Sequence, residues 1–134
     1  MYKYWVAFSS IEGIDSAFIL RLYNYFGDIK QALLADEKEY KNIDGLSVQK
    51  TKNFLEARKG LNVDYTLSEV EKRGIGILPF IDEKYPKLLK EIYNPPAVLY
   101  YKGELSRINF DKTLAVVGSR KASTYSKDAL KLIL

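Results

Sequence analysis

The first sixty residues place apolar side chains three and four positions apart, which is the spacing of amphipathic helices. One such stripe starts at Ile14 and stops before Gly27, and Asp15 is well placed to cap it. Three further helical segments are predicted in this region, over 29–34, 36–41 and 47–59. The pattern therefore predicts an all-helical module.

A turn with the order apolar, acidic, glycine, apolar occurs twice at a spacing of 32 residues, at 11–15 and at 43–47. Its glycine permits a tight turn, and Asp15 or Ser47 then caps the next helix. The arrangement resembles the helix-hairpin-helix and sterile-alpha-motif-like (SAM-like) modules of DNA-processing proteins, whose helix amides can bind a phosphate. DNA-binding versions carry a second glycine where this chain has Asp15 and Ser47, and a carboxylate repels phosphate. We therefore favour a structural or protein-contact role over direct DNA binding.

One more helix is predicted over 64–73. After it, the pattern changes into short apolar runs broken by glycine and proline. Strands are predicted over 74–81, 97–101 and 113–117. The last of these has an unbroken apolar run, which predicts burial on both faces. Helices are predicted over 85–92, opened by Pro86, and from Ala122 or Ser123 onward.

This change of pattern predicts two domains. Residues 1–62 form the helical module, and residues 63–134 form the opening of an α/β domain. The expected fold class is therefore α+α/β, with the α/β part incomplete in this chain.

Composition excludes several kinds of chemistry, because the chain has neither cysteine nor histidine. Disulfides, thiolate nucleophiles, Ser-His-Asp triads and zinc sites built on Cys or His are ruled out. No phosphate-binding P-loop and no pair of carboxylates suited to catalysis occurs, so we expect neither a catalytic residue nor a metal site. The apolar start is too short for a signal peptide and no apolar run could span a bilayer, which predicts a cytoplasmic protein.

The net charge of +4 has one source, since acidic and basic residues balance over 1–111. The excess belongs to 112–134, where a predicted strand ends in Gly118 and a helix follows. Gly118 lets the backbone approach an anion, amides near Ser119 can donate to it, and Arg120 can bind phosphate through two hydrogen bonds. Lys121 adds positive charge, and Ser123 or Thr124 either caps the helix or contacts the same anion. The loop is therefore a candidate phosphate site.

Five motifs in register then resemble the bacterial DNA-processing protein A family (DprA, also called Smf). They are Tyr85-Pro86-x-x-Leu89, Ile92-Tyr93-Asn94-Pro95-Pro96, Leu99-Tyr100-Tyr101-Lys102-Gly103, Ala115-Val116-Val117-Gly118-Ser119-Arg120 and Ser123-x-Tyr125. The chain departs from the family at Ser126, where a glycine usually follows the tyrosine.

The resemblance implies a Rossmann-like domain that binds single-stranded DNA and helps to load the RecA recombinase during natural transformation. It implies a binding protein rather than an enzyme, without a cofactor. Gly118, Ser119 and Arg120 match the loop that lines the family's basic DNA pocket, and Ser123 and Tyr125 match its pattern too. We therefore expect DNA contacts from Gly118, Ser119, Arg120, Lys121, Ser123 and Tyr125.

Two alternatives stay open from the residues alone. The same loop could serve a Rossmann-like hydrolase that binds a nucleotide phosphate, or the chain could be a protein-contact module without a ligand. The family's later glycine-rich and basic motifs do not occur in these 134 residues, so we expect a fragment of a longer protein. An uncovered sheet edge and apolar helix face would then favour self-association, for example as a homodimer.

Overall fold

The computed structural model describes residues 2–110 and 112–133, and its chain divides into two compact units, one up to Glu104 and one from Leu105. The helices of the first unit are α1 (Tyr2–Ser9), α2 (Ser16–Phe26), α3 (Ile29–Leu34), α4 (Val48–Lys59), α5 (Val63–Lys72) and the one-turn α6 (Lys87–Lys90). Its strands are β1 (Gly76–Pro79) and β2 (Val98–Tyr101). The second unit contains a 3-10 turn (Leu105–Arg107) and helix α7 (Thr124–Ile133). No helix in the described ranges is long and apolar enough to cross a bilayer.

The aromatic ring of Phe54 lies at the centre of the core of the first unit. It is fully buried, and its centroid is 4.9 Å from that of Phe8, 5.6 Å from that of Phe18 and 5.5 Å from that of Tyr40. These rings belong to α1, to α2 and to the segment before α4. Phe54 is the buried residue of α4, so packing of this one ring holds that helix against the core.

The predicted helix ends of the first module are confirmed. Asp15 accepts a hydrogen bond from the Phe18 amide at 2.9 Å, and Gly27 ends α2 in the left-handed region at φ +71°. Ser47 accepts from the Lys50 amide at 3.3 Å at the start of α4. These local caps explain why the bounds of α2, α3 and α4 agree with the sequence pattern.

The two repeated turns contact each other's helices. Both glycines are left-handed, with φ +77° at Gly13 and +72° at Gly45. Arg21 of α2 donates from Nη1 to the carbonyl of Asp44 in the second turn at 2.9 Å. In return, the Lys50 ammonium of α4 binds the Asp15 carboxylate beside the first turn. Each of the two hairpins therefore contacts the other through one basic side chain.

The short helical turn predicted over 36–41 is found in shifted form, as a 3-10 turn at Glu39–Asn42. The side chain of Asp36 accepts a hydrogen bond from the Lys38 amide at 2.9 Å, and the Glu39 carboxylate accepts from the Asp36 amide at 3.2 Å. These reciprocal side-chain bonds have the pattern of a capping box, which satisfies free amides at the start of a helical turn.

The first two predicted strands are confirmed in shorter form, as an antiparallel pair that aligns Gly76 with Tyr101 and Pro79 with Val98. The Tyr101 ring covers Gly76, where an added Cβ would lie 2.2 Å from a ring carbon. Close packing therefore requires glycine at this position. The sheet of the described residues contains these two strands.

The sheet and α5 pack against α1 and belong to the same compact unit as the first four helices. The Ala97 amide before β2 donates to the Ser16 hydroxyl of α2 at 3.0 Å. The packed unit thus includes residues on both sides of the predicted boundary at 62/63. That boundary stays a prediction.

The third predicted strand, over 113–117, is wrong. These residues form no strand or helix within the described ranges, and they are exposed, Val117 to 92%. An apolar run becomes a doubly buried strand only when neighbouring strands and helices cover it. The following helix is confirmed, and it begins at Thr124.

Candidate nucleic-acid interface

The predicted loop connects the segment 113–117 to α7, and it contains hydrogen bonds between residues that are near each other in sequence. The Ser119 hydroxyl accepts from the Lys121 amide at 3.2 Å, which closes a tight turn around Arg120. Every residue from 118 to 125 is exposed. The loop therefore presents its side chains to solvent.

Ser123 caps α7. Its hydroxyl accepts from the Ser126 amide at 3.1 Å, and its carbonyl accepts from the Lys127 amide at 3.2 Å. The Ser123 and Ser126 hydroxyls are also hydrogen-bonded to each other, at 2.8 Å. The serine that replaces the family's usual glycine thus takes part in the cap, and of the two predicted roles of Ser123 the structure shows the capping one.

The loop carries two positive charges that are unpaired within the described residues. Within residues 2–110 and 112–133, neither Arg120 nor Lys121 forms a side-chain hydrogen bond or ion pair, and both are exposed. Along α7, the Lys131 ammonium lies 3.7 Å from the Asp128 carboxylate. Arg120 and Lys121 are therefore available to bind an anion.

Two other predicted contact residues are in open surroundings. Tyr125 is 82% exposed, so both faces of its ring are accessible. A Cβ added at Gly118 would meet no atom within 4 Å, and its φ lies outside the left-handed region. A requirement for glycine at position 118 therefore does not come from packing within this structure.

The tyrosine of the first motif has a structural role instead. Tyr85 is buried, and its hydroxyl donates to the carbonyl of Pro96 in the second motif at 2.7 Å. Its ring packs against Phe80 at 5.5 Å, and the Lys90 ammonium lies 5.5 Å from the Tyr85 ring centroid. Burial raises the pKa of the Tyr85 hydroxyl. The first two motifs therefore contact each other through Tyr85 and Pro96, and we call this contact the tyrosine clasp. It fixes the connection between β1 and β2.

The neighbouring tyrosines of β2 also have packing roles. The Tyr100 hydroxyl is hydrogen-bonded to the Ser9 hydroxyl of α1 at 2.5 Å, and the Tyr101 ring covers Gly76. The clasp and these contacts thus organise the residues that precede the loop in sequence. The side chains of Tyr85, Tyr100 and Tyr101 are all less exposed than that of Tyr125.

The profile of a protein family matches residues 76–134, from the first residue of β1 through the basic loop and α7; its description is DNA recombination-mediator protein A. This chain belongs to the DprA/Smf family. The resemblance carried by the five motifs is thereby confirmed, and the tyrosine clasp and the loop both lie within the family's matched residues.

Curated relatives agree with this assignment to the DprA/Smf family. Protein Smf of Synechocystis sp. is 31% identical over 102 residues, which cover 76% of this chain and 26% of that protein. DNA processing protein DprA of Bacillus subtilis is 34% identical over 64 residues, covering 48% and 22%. DNA processing protein DprA of Streptococcus pneumoniae is 29% identical over 122 residues, covering 91% and 41%. The chain thus spans between 22% and 41% of the length of these DprA/Smf relatives.

No solved structure matches the chain significantly. The Streptococcus pneumoniae match covers 91% of the chain, so it includes residues of the helical module as well as the segment that defines the family. The DprA/Smf relationship therefore extends into the first five helices, although the family profile begins at residue 76.

Proposed function

We propose that this chain binds single-stranded DNA through the loop at 118–125, as part of a DprA-type recombination mediator. The observation that carries the proposal is the pair of exposed cations, Arg120 and Lys121, in a turn that the Ser119 hydroxyl closes just ahead of the capped helix α7. Both lie within the family's matched residues. Arg120 is well suited to phosphate because its guanidinium can donate two parallel hydrogen bonds.

The chemistry of the loop favours a strand over a single nucleotide. Arg120 and Lys121 would neutralise successive phosphates, and Tyr125 would stack on a base. Gly118 and Ser119 would supply backbone amides, while Ser123 would hold the start of α7. Contacts of this kind follow the backbone and the faces of the bases, so the proposal predicts slight sequence preference.

A more specific role is proposed from the relationship to the family. In this role, the chain acts with the RecA recombinase during natural transformation in the cytoplasm, without catalytic turnover and without a cofactor. Residues 63–134 would belong to a Rossmann-like domain and residues 1–62 to a helix-hairpin-helix or SAM-like module. The exposed apolar side chains of Val117 and Leu132 support self-association as a homodimer.

The test is a titration of labelled oligothymidine with the chain, followed by fluorescence anisotropy over a series of salt concentrations. Arg120→Glu should weaken binding at least about tenfold and reduce the salt slope by roughly 0.7 for the lost phosphate contact. Arg73→Glu is the matched control, since Arg73 is an exposed arginine outside the family's matched residues.

Three results would contradict the proposal. The first is no binding by the parent chain, and the second is an unchanged affinity and salt slope for Arg120→Glu. The third is efficient displacement of oligothymidine by a mononucleotide, which would favour the nucleotide-hydrolase alternative.

A further inference from the structure

The side chains of α7 are unevenly distributed around the helix axis. With about 100° between successive residues, one arc of roughly 100° carries Thr124, Lys127, Asp128 and Lys131. We call this side the polar arc. The apolar side chains of α7 lie outside it, and so does Tyr125. The basic side chains of the helix are therefore all on one side.

The second unit, residues 105–134, contains six lysines and arginines but only two aspartates. One of these carboxylates, that of Asp128, lies 3.7 Å from the Lys131 ammonium. The Lys127 side chain is exposed, and within residues 2–110 and 112–133 it forms no ion pair and no hydrogen bond. Its ammonium is therefore available to an anion, as are the two cations of the loop.

Lys127 lies in the first turn of α7, close in sequence to the candidate DNA loop. Its backbone amide donates to the carbonyl of Ser123, the capping residue, at 3.2 Å. Lys131 is one turn further on, about 6 Å along the helix axis. Of the two lysines of the polar arc, Lys127 is therefore the one nearer to the loop.

Tyr125 and Lys127 project from opposite sides of this first turn. Residues two positions apart in an α-helix differ by about 200° in direction and do not face each other. Tyr125 is 82% exposed, and Lys127 is exposed too. A single strand that contacts both side chains therefore crosses the helix near its start.

A strand could instead run along α7, but neither side of the helix suits a phosphate there. On the side of Tyr125, the next turns present the Asp128 carboxylate and then the apolar Leu132, which is 89% exposed. A carboxylate repels phosphate, and an apolar side chain offers it no hydrogen bond. On the polar arc, the next cation belongs to Lys131, which already has Asp128 beside it. The first turn is therefore where an unpaired cation and an exposed ring occur together.

We propose that single-stranded DNA crosses the first turn of α7, with a base on Tyr125 and a phosphate on Lys127 at the two sides of the helix. The inference rests on the proposed function, because it takes Arg120 and Lys121 as the phosphate contacts between these two points. A helix with its side chains is about 10–12 Å wide. A strand stacked as in a duplex advances about 3.4 Å per nucleotide, so roughly three to four nucleotides cover the crossing.

The test is a titration of labelled oligothymidine with the whole chain over a series of salt concentrations, read by fluorescence anisotropy. Lys127→Gln should reduce the salt slope by about 0.7 and weaken binding roughly fivefold near 0.1 M salt, the loss that follows from one phosphate contact. Lys131→Gln is the matched control, since it removes the same charge from the same arc one turn further on. It should change the affinity less than about twofold, because Lys131 has Asp128 beside it.

Two more variants test the path itself. Lys127→Arg should keep the salt slope of the parent chain, which separates the charge from any effect on the helix. Tyr125→Ala should weaken binding and leave the salt slope unchanged, because stacking on a ring releases no counterion. An unchanged affinity for Tyr125→Ala would contradict a strand that crosses the helix.

Equal losses for Lys127→Gln and Lys131→Gln would also overturn the crossing path, since the lysines would then act as a diffuse positive field. If Arg120→Glu still weakened binding in that case, the proposed function would stand without this inference. No binding by the parent chain, or no effect of Arg120→Glu, would remove both. Displacement of oligothymidine by an oligoglutamate of equal charge would overturn the inference in a different way, because it would assign these cations to an acidic protein segment.

Discussion

Arg58 donates a hydrogen bond from Nη1 to the hydroxyl of Tyr40 at 2.9 Å, and its guanidinium carbon lies 5.2 Å from the centroid of the same ring. The same nitrogen lies 3.0 Å from the Leu33 carbonyl and 2.8 Å from the Ala35 carbonyl. These carbonyls stand at the end of α3, where a helix has no further amides of its own to satisfy them. Arg58 of α4 therefore joins the end of one helix to a buried tyrosine of the core.

Removal of this arginine should destabilise the first unit. Arg58→Ala leaves the carbonyls at the end of α3 and the Tyr40 hydroxyl without their donor, and we expect the free energy of unfolding to fall by about 2–3 kcal/mol. Arg58→Lys should recover only part of this loss, because an ammonium lacks the planar fork of donors. Urea denaturation measures both. Lys59→Ala, which removes an exposed pair with Glu56, should cost less than about 1 kcal/mol, and an equal cost for the two alanine variants would contradict the role of Arg58.

Tyr40 itself should make stability depend on alkaline pH. Burial raises the pKa of its hydroxyl to about 12, against the opposing influence of Arg58. Because the folded pKa exceeds the unfolded value of about 10, the stabilising contribution is complete below pH 10 and is lost as the pH rises towards 12. The free energy of unfolding, measured in urea between pH 9 and 12, should fall on the order of 2 kcal/mol through this residue.

The control for this dependence is Tyr40→Phe, which keeps the ring and removes the titrating group. Lysine residues also titrate in this range, so the informative quantity is the difference between the two pH profiles. If that difference stays constant from pH 9 to 12, the pKa of Tyr40 is not higher in the folded chain than in the unfolded one.

The helical module was predictable because its signals are local. Asp15, Ser47 and Gly27 cap helices through neighbours within four residues, and the sequence contains all the partners. Asp36 acts locally too, since its carboxylate accepts from the Lys38 amide just ahead of the 3-10 turn at Glu39–Asn42.

The segment 113–117 shows why the rest could not be predicted. Its apolar run has the composition of a buried strand, but a strand forms only where a neighbouring strand offers hydrogen bonds, and these come from distant residues. The helix after the loop was correctly predicted, because Ser123 caps it through a local hydrogen bond. The DNA-binding role of the loop stays a prediction, since the local sequence pattern does not determine contacts with DNA.

Asp15 should contribute stability that is lost in acid. Its hydrogen bond and ion pair with Lys50, followed by the bond from the Phe18 amide, lower the pKa of the carboxyl. Because the folded pKa lies below the unfolded one, the contribution is present above about pH 4 and disappears as the pH falls through the folded value. Asp15→Asn keeps a cap but removes the charge, so its cost, about 1 kcal/mol at pH 7, should vanish at the lowest pH at which the chain remains folded. Thermal unfolding across this range checks it, and a cost that does not change with pH would assign the effect to the cap alone.

The repeated turns provide an internal comparison between two equivalent glycines. Gly13 and Gly45 have nearly the same left-handed φ, so replacement by alanine should cost each about 1–2 kcal/mol in backbone strain. Their surroundings differ, because a Cβ at Gly13 meets nothing within 4 Å while one at Gly45 would lie 2.2 Å from Arg21 Nη1. Gly45→Ala must therefore also displace the Arg21 side chain from the Asp44 carbonyl. We expect it to be the more destabilising change by about 1 kcal/mol, the usual net contribution of one hydrogen bond.

Arg21→Ala separates the two contributions to the cost at Gly45. In that background the guanidinium is absent, so Gly45→Ala should lose its excess and cost no more than Gly13→Ala, which Arg21→Ala should leave unchanged. The four unfolding free energies of this double-mutant cycle give the coupling between Arg21 and Gly45 directly. A coupling near zero would mean that the guanidinium moves aside without loss, and the reciprocal contact between the two hairpins would then rest on Lys50 and Asp15 alone.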